Sequence, residues 1–146
     1  NLYESLSAYG VGFHRHNSEI QQELNLITKK KINFHFTPHL SPMFRGILST
    51  IYLDLAPKKN ITIVYRELKK FYKKSSFIKV LNLNKLLSTN DVINTNLCHI
   101  SVCKSKDKNK IIILSALDNL IKGGSGQAVQ NLNLLYGFDE KTGLNL

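Results

Sequence analysis

Residues 96–117 read NLCHISVCKSKDKNKIIILSAL: two runs of apolar and β-branched residues flank the polar segment SKDKN. Runs of this kind on either side of a short polar break predict a β-hairpin. We expect a strand over 97–104, a turn over 106–109 and a returning strand over 110–116. Cys98 and Cys103 stand five positions apart on the first strand and therefore point to opposite faces, which predicts two separate thiols rather than a mutual disulfide. Their spacing also misses the two-residue gap of a zinc knuckle or redox motif.

Outward from the hairpin, SFIKVLN at 76–82 is a further short strand, and GILSTIYLDL at 46–55 is a longer β-branched one. In INFHFT at 32–37, Ile32, Phe34 and Phe36 alternate with polar residues, which is strand periodicity. Helices fall between these segments. Asn17 is a suitable N-cap for a helix over 18–29, with Glu19 in its first turn and Ile20, Leu24 and Ile27 at helical spacing. A second helix begins near Thr62 and carries Tyr65, Leu68 and Tyr72 on one face. The chain closes with KGGSGQAVQNLNLLYGF at 122–138, a glycine-rich turn entering a helix with Val129, Leu132 and Tyr136 on one side. Hairpin-like links dominate, so we expect an α+β fold with a mixed, largely antiparallel sheet rather than a doubly wound parallel one.

The chain has 146 residues, 42% of them hydrophobic and 21% charged, which suits one globular domain or one piece of a longer chain. It starts at Asn1 and its single methionine is internal, so we expect the natural N-terminus to lie upstream. No run resembles a signal peptide or a membrane span. With no disulfide framework, the cytoplasm is the expected compartment. The formal charge of +10 raises nucleic-acid binding as one hypothesis. The lysines are scattered, however, and arginine occurs only as Arg15, Arg45 and Arg66. The runs TKKK and KKFYKK fall at expected helix ends, where cations suit the dipole. We expect neither nucleic acid nor membrane as a partner.

Three stretches can carry chemistry. HRHNSEI at 14–20 sets His14, Arg15 and His16 at a helix entry. A metal site there needs further ligands, and His35, His39 and His99 have no supporting motif, so we expect no metal. The positive end of a helix dipole favours a neutral imidazole, the form that accepts a proton, and Arg15 suits a phosphate or carboxylate. A solvated polar turn with a cap is the alternative. FTPHLSPMFRGIL at 36–48 carries Arg45 beside Gly46, positioned either for an anion or for a structural ion pair. The turn at 122–130 can offer backbone N–H groups to a ligand, or can simply need unusual backbone angles.

Together with DNLIKGGSGQAVQNLNLLYGFDEKTGL at 118–144, these stretches resemble the C-terminal part of the N-acetyl-gamma-glutamyl-phosphate reductases, over essentially the whole chain. Aspartate-semialdehyde dehydrogenases share a DNL…KG…AVQ pattern but lack HRH and FTPHL, and rank second. The resemblance implies a glyceraldehyde-3-phosphate-dehydrogenase-like C-terminal domain, its sheet carrying helices on one face. Residues 1–121 would be the catalytic and dimerisation body, and 122–146 the helix segment returning to a nucleotide-binding domain that this sequence does not contain. It implies reduction of N-acetyl-glutamyl 5-phosphate by NADP(H) in arginine biosynthesis, within a homodimer or homotetramer assembled through the sheet. His16 matches the catalytic histidine of the family, while His14, Arg15 and Arg45 match substrate-side positions. Gly123, Gly124, Ser125, Gly126 and Gln127 match the segment near the nicotinamide. Asn17 and Ser18 replace a common Thr-Pro pair. The family's GCYPT-like cysteine segment is not in this sequence, which implies half an active site and an inactive fragment. A non-catalytic interaction module built on the same domain is the alternative of a different class.

Overall fold

A computed structural model describes residues 4–146, which fall into two compact units divided between Phe44 and Arg45. In the first unit, β1 (Ser7–Ala8) pairs antiparallel with β2 (His39–Leu40). Between them runs α1 (His16–Thr28), which ends where Lys29 turns left-handed at φ 53°. Ile20 and Leu24 are half-buried on α1, whereas Ile27 is exposed.

Two expectations fail in this unit. Residues 32–37 alternate as a strand should but form none. Their first backbone groups are taken by helix side chains instead: Gln21 Nε2 donates to the Ile32 carbonyl at 2.8 Å, and the Ile32 N–H donates to Asn25 Oδ1 at 3.2 Å. Periodicity alone cannot make a strand without a ladder partner. Nor does Asn17 cap α1. It lies inside the first turn, and the structural N-cap is Arg15, whose side chain makes no capping bond.

The second unit is built on a four-stranded sheet in the order β3-β6-β5-β4: β3 (Ile47–Asp54), β4 (Ile78–Val80), β5 (Cys98–Lys104) and β6 (Lys110–Leu117). The hairpin read from the sequence is β5 and β6, paired antiparallel from Cys98↔Leu117 to Lys104↔Ile111. β3 adds antiparallel to β6, and β4 adds parallel to β5, so the sheet is mixed and largely antiparallel. Cys98 and Cys103 are free thiols.

Helix α2 (Ile61–Phe71) starts at Asn60, whose Oδ1 accepts the Ile63 N–H at 3.0 Å, an ordinary side-chain cap. Its half-buried face carries Val64, Tyr65 and Leu68, while Phe71 stays exposed. The core residues are Phe77, Val92, Leu97, Val102, Ile111 and Ala116. Burying each of the larger ones is worth about 1.5–3 kcal/mol.

Helix α3 (Gly126–Leu135) is inside out by the usual rule: its buried residues are Gly126, Gln130 and Asn133. Val129, Leu132, Leu135 and Tyr136 are exposed. The polar face is fully engaged. Gln130 Nε2 donates to Glu140 at 2.7 Å, and Asn133 Nδ2 donates to the carbonyls of Glu140 and Thr142. A chain return over 138–145 thus satisfies the inner side of α3 and leaves its apolar side outward. No helix among the described residues is long and apolar enough to cross a membrane.

Candidate active site

In the first unit, His14 and His16 come together, with ring centroids 4.7 Å apart in an edge-on arrangement. Tyr9 and Phe36 close in on His14 from other sides at 5.2 and 5.4 Å. The His14 ring is also the missing cap, because its Nδ1 accepts the backbone N–H of His16 at 3.2 Å. Its carbonyl accepts the Asn17 N–H at 2.9 Å. A neutral His14 bonded in this way carries its proton on Nε2. His16 is the first residue of α1, with its side chain partly open to solvent and Nε2 3.9 Å from Glu19 Oε2. Arg15 is exposed, and its carbonyl accepts Ser18 Oγ–H at 2.9 Å.

Beside α1 lies a groove of ≈ 510 Å³ bordered by Asn17, Ser18, Gln21, Phe34 and His35. Asn17 Oδ1 is buried and has no partner among the described residues. A larger groove of ≈ 710 Å³ runs along α2 between Leu53 and Phe71. None of the candidate site residues read from the sequence lines it.

In the second unit, Arg45 and the glycine-rich turn meet at one residue that sequence reasoning left unassigned, Asp118. This carboxylate is fully buried. Its Oδ2 accepts Arg45 Nη1 at 3.3 Å and the Asn94 N–H at 2.9 Å, and its Oδ1 accepts the N–H groups of Leu120 and Ile121 at 2.8 and 3.0 Å. Burial pushes the Asp118 carboxyl up, but the three backbone donors and then Arg45 outweigh it and hold the group below the usual carboxylate range. Arg45 therefore has the ion pair that one reading of its sequence position allowed, with about a third of its side chain still exposed.

After Asp118 the chain forms a wide turn, Ile121–Ser125, closed by Gly123 N–H to the Asp118 carbonyl at 2.9 Å and Ser125 N–H to the Leu120 carbonyl at 3.0 Å. Gly123, Gly124 and Ser125 are exposed, whereas Gly126 is buried. A Cβ on Gly126 would stand 2.5 Å from Asn96 Oδ1 and 2.6 Å from Ile121 Cγ2. Lys122 Nζ turns inward to Gln127 and Gln130, each at 2.7 Å. Burial lowers the Lys122 pKa, opposed by Cys98 and Glu140. Cys98 is half-buried, with Sγ 3.5 Å from Ser115 Oγ, and Cys103 is buried against Ser101. No group of three or more metal-ligating side chains occurs among the described residues.

A signal for Asp118 was present in SALDNLI, where an acidic residue directly follows an apolar strand. A charge there can be buried only where donors satisfy it, and in this fold the next turn supplies them.

The α+β architecture, with its mixed, largely antiparallel sheet, is of the semialdehyde-dehydrogenase dimerisation-domain class. Residues 1–119 match the family described as semialdehyde dehydrogenase, dimerisation domain, and the chain belongs to that family. Its curated relatives include an N-acetyl-gamma-glutamyl-phosphate reductase of Thermoanaerobacter sp., 48% identical over 100% of this chain and 44% of that protein. Another, of Clostridium kluyveri, is 46% identical over 99% of the chain and 42% of that protein. A probable chloroplastic N-acetyl-gamma-glutamyl-phosphate reductase of Arabidopsis thaliana is 45% identical over 99% of the chain and 37% of its own length. The chain thus spans less than half the length of these relatives. Among solved structures, the aspartate semialdehyde dehydrogenase of Francisella tularensis superposes with a TM-score of 0.68 at 18% identity, covering 93% of this chain and 40% of that one. At that identity the likeness concerns the fold.

Proposed function

We propose that this chain is the catalytic and dimerisation part of an NADPH-dependent acyl-phosphate reductase. That enzyme converts N-acetyl-glutamyl 5-phosphate to N-acetyl-glutamate 5-semialdehyde with release of phosphate, a step of arginine biosynthesis in the cytoplasm. The observation that carries the reading is the His14–His16 pair at the entry of α1, in a chain 48% identical to a reductase of that name. Residues 1–121 form the catalytic and dimerisation body, and 122–146 return to a nucleotide-binding domain that supplies the rest of the NADP(H) site and the nucleophilic cysteine. Neither Cys98 nor Cys103 serves as that nucleophile: one is half-buried against Ser115, the other buried against Ser101.

His16 is the acid/base. Its side chain is open on one side and held at a helix start, where it takes the proton of the attacking thiol and later manages the proton of the thiohemiacetal. His14, Arg15 and Arg45 bind the substrate's anionic groups, with Arg45 oriented by Asp118. The glycine turn suits a planar cofactor ring, because Gly123 and Gly124 are exposed and bring no side chain into the approach. Gly123, Gly124, Ser125, Gly126 and Gln127 would hold the nicotinamide end, and NADPH when bound supplies the hydride. Assembly as a homodimer or homotetramer is supported by the exposed apolar residues Ile47, Leu48, Ile51 and Leu53 of β3.

The test is an assay of the full-length protein, following NADPH oxidation with N-acetyl-glutamyl phosphate and with aspartyl phosphate. Turnover of the first at the higher kcat/KM is expected. Preference for aspartyl phosphate would replace this reading with the aspartate-semialdehyde one, and no turnover of either would favour an interaction module.

A further inference from the structure

We propose that Asp118 is a positioning residue that couples the substrate side of this site to its cofactor side, so that a change at Arg45 alters the affinity of the glycine turn for NADPH. The inference rests on the functional reading above and assigns that site a residue and an internal linkage.

The geometry divides the work between two oxygens of one buried carboxylate. Oδ2 takes Arg45 Nη1 and the Asn94 N–H, and Oδ1 takes the N–H groups of Leu120 and Ile121, where the turn begins. The next residue continues the arrangement, since Asn119 Oδ1 accepts the Gly46 N–H at 2.7 Å. Gly46 itself stands at φ 105°, with Thr89 occupying the space a Cβ would need at 2.5 Å. The side chain of Arg45 is thus held by Asp118 and, through the same Nη1, by Asn94 Oδ1, while Asn119 holds the backbone directly after it. The Asp118 carbonyl also accepts the Gly123 N–H, which ties the middle of the turn to the same residue.

Every group facing the carboxylate is a donor, so no neutral isostere fits. An amide at this position turns its own N–H₂ either toward Arg45 and the Asn94 N–H or toward the turn, and one side must open. In a close-packed site such a carboxylate transmits displacement: pulling Arg45 toward a substrate anion moves Oδ2, and Oδ1 moves with it.

The experiment uses the full-length protein in four forms: wild type, Asp118→Asn, Arg45→Met and Arg45→Lys. The KM for N-acetyl-glutamyl phosphate and the NADPH dissociation constant from fluorescence titration are both referred to the titrated fraction of active sites. Coupling energies of this kind usually correspond to 5–150-fold changes in affinity. Asp118→Asn is expected to raise both constants about tenfold, near the low end of that range. Arg45→Met is expected to raise the KM and also to weaken NADPH binding by roughly fivefold, although Arg45 lies on the substrate side. Arg45→Lys, which keeps a cation for Oδ2, should recover most of the NADPH affinity. If Asp118→Asn does not fold, the two Arg45 variants decide the matter alone. An NADPH dissociation constant at the wild-type value in Arg45→Met would overturn the coupling, as would an Asp118→Asn protein that loses active sites while its remaining sites keep wild-type constants. A wild-type protein that binds NADPH but leaves the acyl phosphate untouched would sink the functional reading, and the titration would still decide the coupling.

Discussion

His14 Nδ1 accepts the backbone N–H of His16 at 3.2 Å, so one histidine of the pair caps the helix that begins with the other. The cap and the positive end of the helix dipole share three residues, His14 to His16. The ring contacts with Tyr9 and Phe36 fix the cap in place, and the cap in turn fixes where α1, and hence His16, begins.

Replacing His14 with Ala removes that acceptor and should cost about 1 kcal/mol, the usual loss for a missing N-cap. His14→Asn, which can accept the same N–H, should restore about half of it. Urea midpoints of the three proteins measure this, and equal midpoints would mean that the N–H is satisfied by water instead.

Gly126→Ala should be among the most damaging single-methyl changes in the chain. The new Cβ meets Asn96 Oδ1 at 2.5 Å and Ile121 Cγ2 at 2.6 Å, and Asn96 is fully buried. Overpacking of this kind costs roughly 1–3 kcal/mol. Thermal unfolding should show it, together with weakened NADPH binding, because the turn must shift to relieve the clash. An unchanged Tm would show that Asn96 has room to move.

The pH dependence should carry a histidine signature. Both ring nitrogens of His99 are buried without a partner among the described residues. Burial, then Lys79, holds its pKa below the ordinary value, with Asp91 pulling the other way. The unfolded chain therefore binds the proton more readily, and stability falls as pH drops from about 6.5 toward the folded value. The contribution of Asp118 has the opposite origin and a lower window, being present above about pH 4 and lost below it as the carboxylate protonates. Denaturant titrations between pH 7.5 and 5 should show a steeper loss for wild type than for His99→Gln. Parallel slopes would remove His99 as the cause.

The outward face of α3 should matter to assembly and not to local folding. Leu132→Gln with Leu135→Gln leaves the inner bonds of Gln130 and Asn133 untouched and barely alters helix propensity. Stability of these 146 residues should stay within about 0.5 kcal/mol, while the full-length protein should lose NADPH affinity, the outcome expected of a helix that holds the proposed nucleotide-binding domain. Unchanged affinity would mean that this face docks elsewhere.

The sheet was legible where two adjacent strands supply each other's partners. The hairpin of β5 and β6 begins and ends within a residue of its sequence reading, because alternation and turn composition act locally. The parallel pairing of β4 was not legible, since strand composition carries no direction. Residues 32–37 alternate equally well, yet α1 side chains claim the Ile32 backbone. The cap was misread for a chemical reason: Asn17 is a preferred cap type, but His14 reaches the first N–H from outside the helix. At the site, the arginine and the glycines were visible in sequence. Asp118 was not assigned, because its link to Arg45 spans 73 positions and exists only once β3 lies beside β6.

In the proposed reaction His16 moves the proton of an acyl-phosphate reduction. The most direct measurement is the turnover of full-length His16→Ala with N-acetyl-glutamyl phosphate, alongside its NADPH dissociation constant. A half-exposed side chain at a helix start carries little packing. Turnover is therefore expected to fall by roughly a hundredfold or more, with the fold and the NADPH dissociation constant unchanged. Turnover at the wild-type rate would contradict that role of His16.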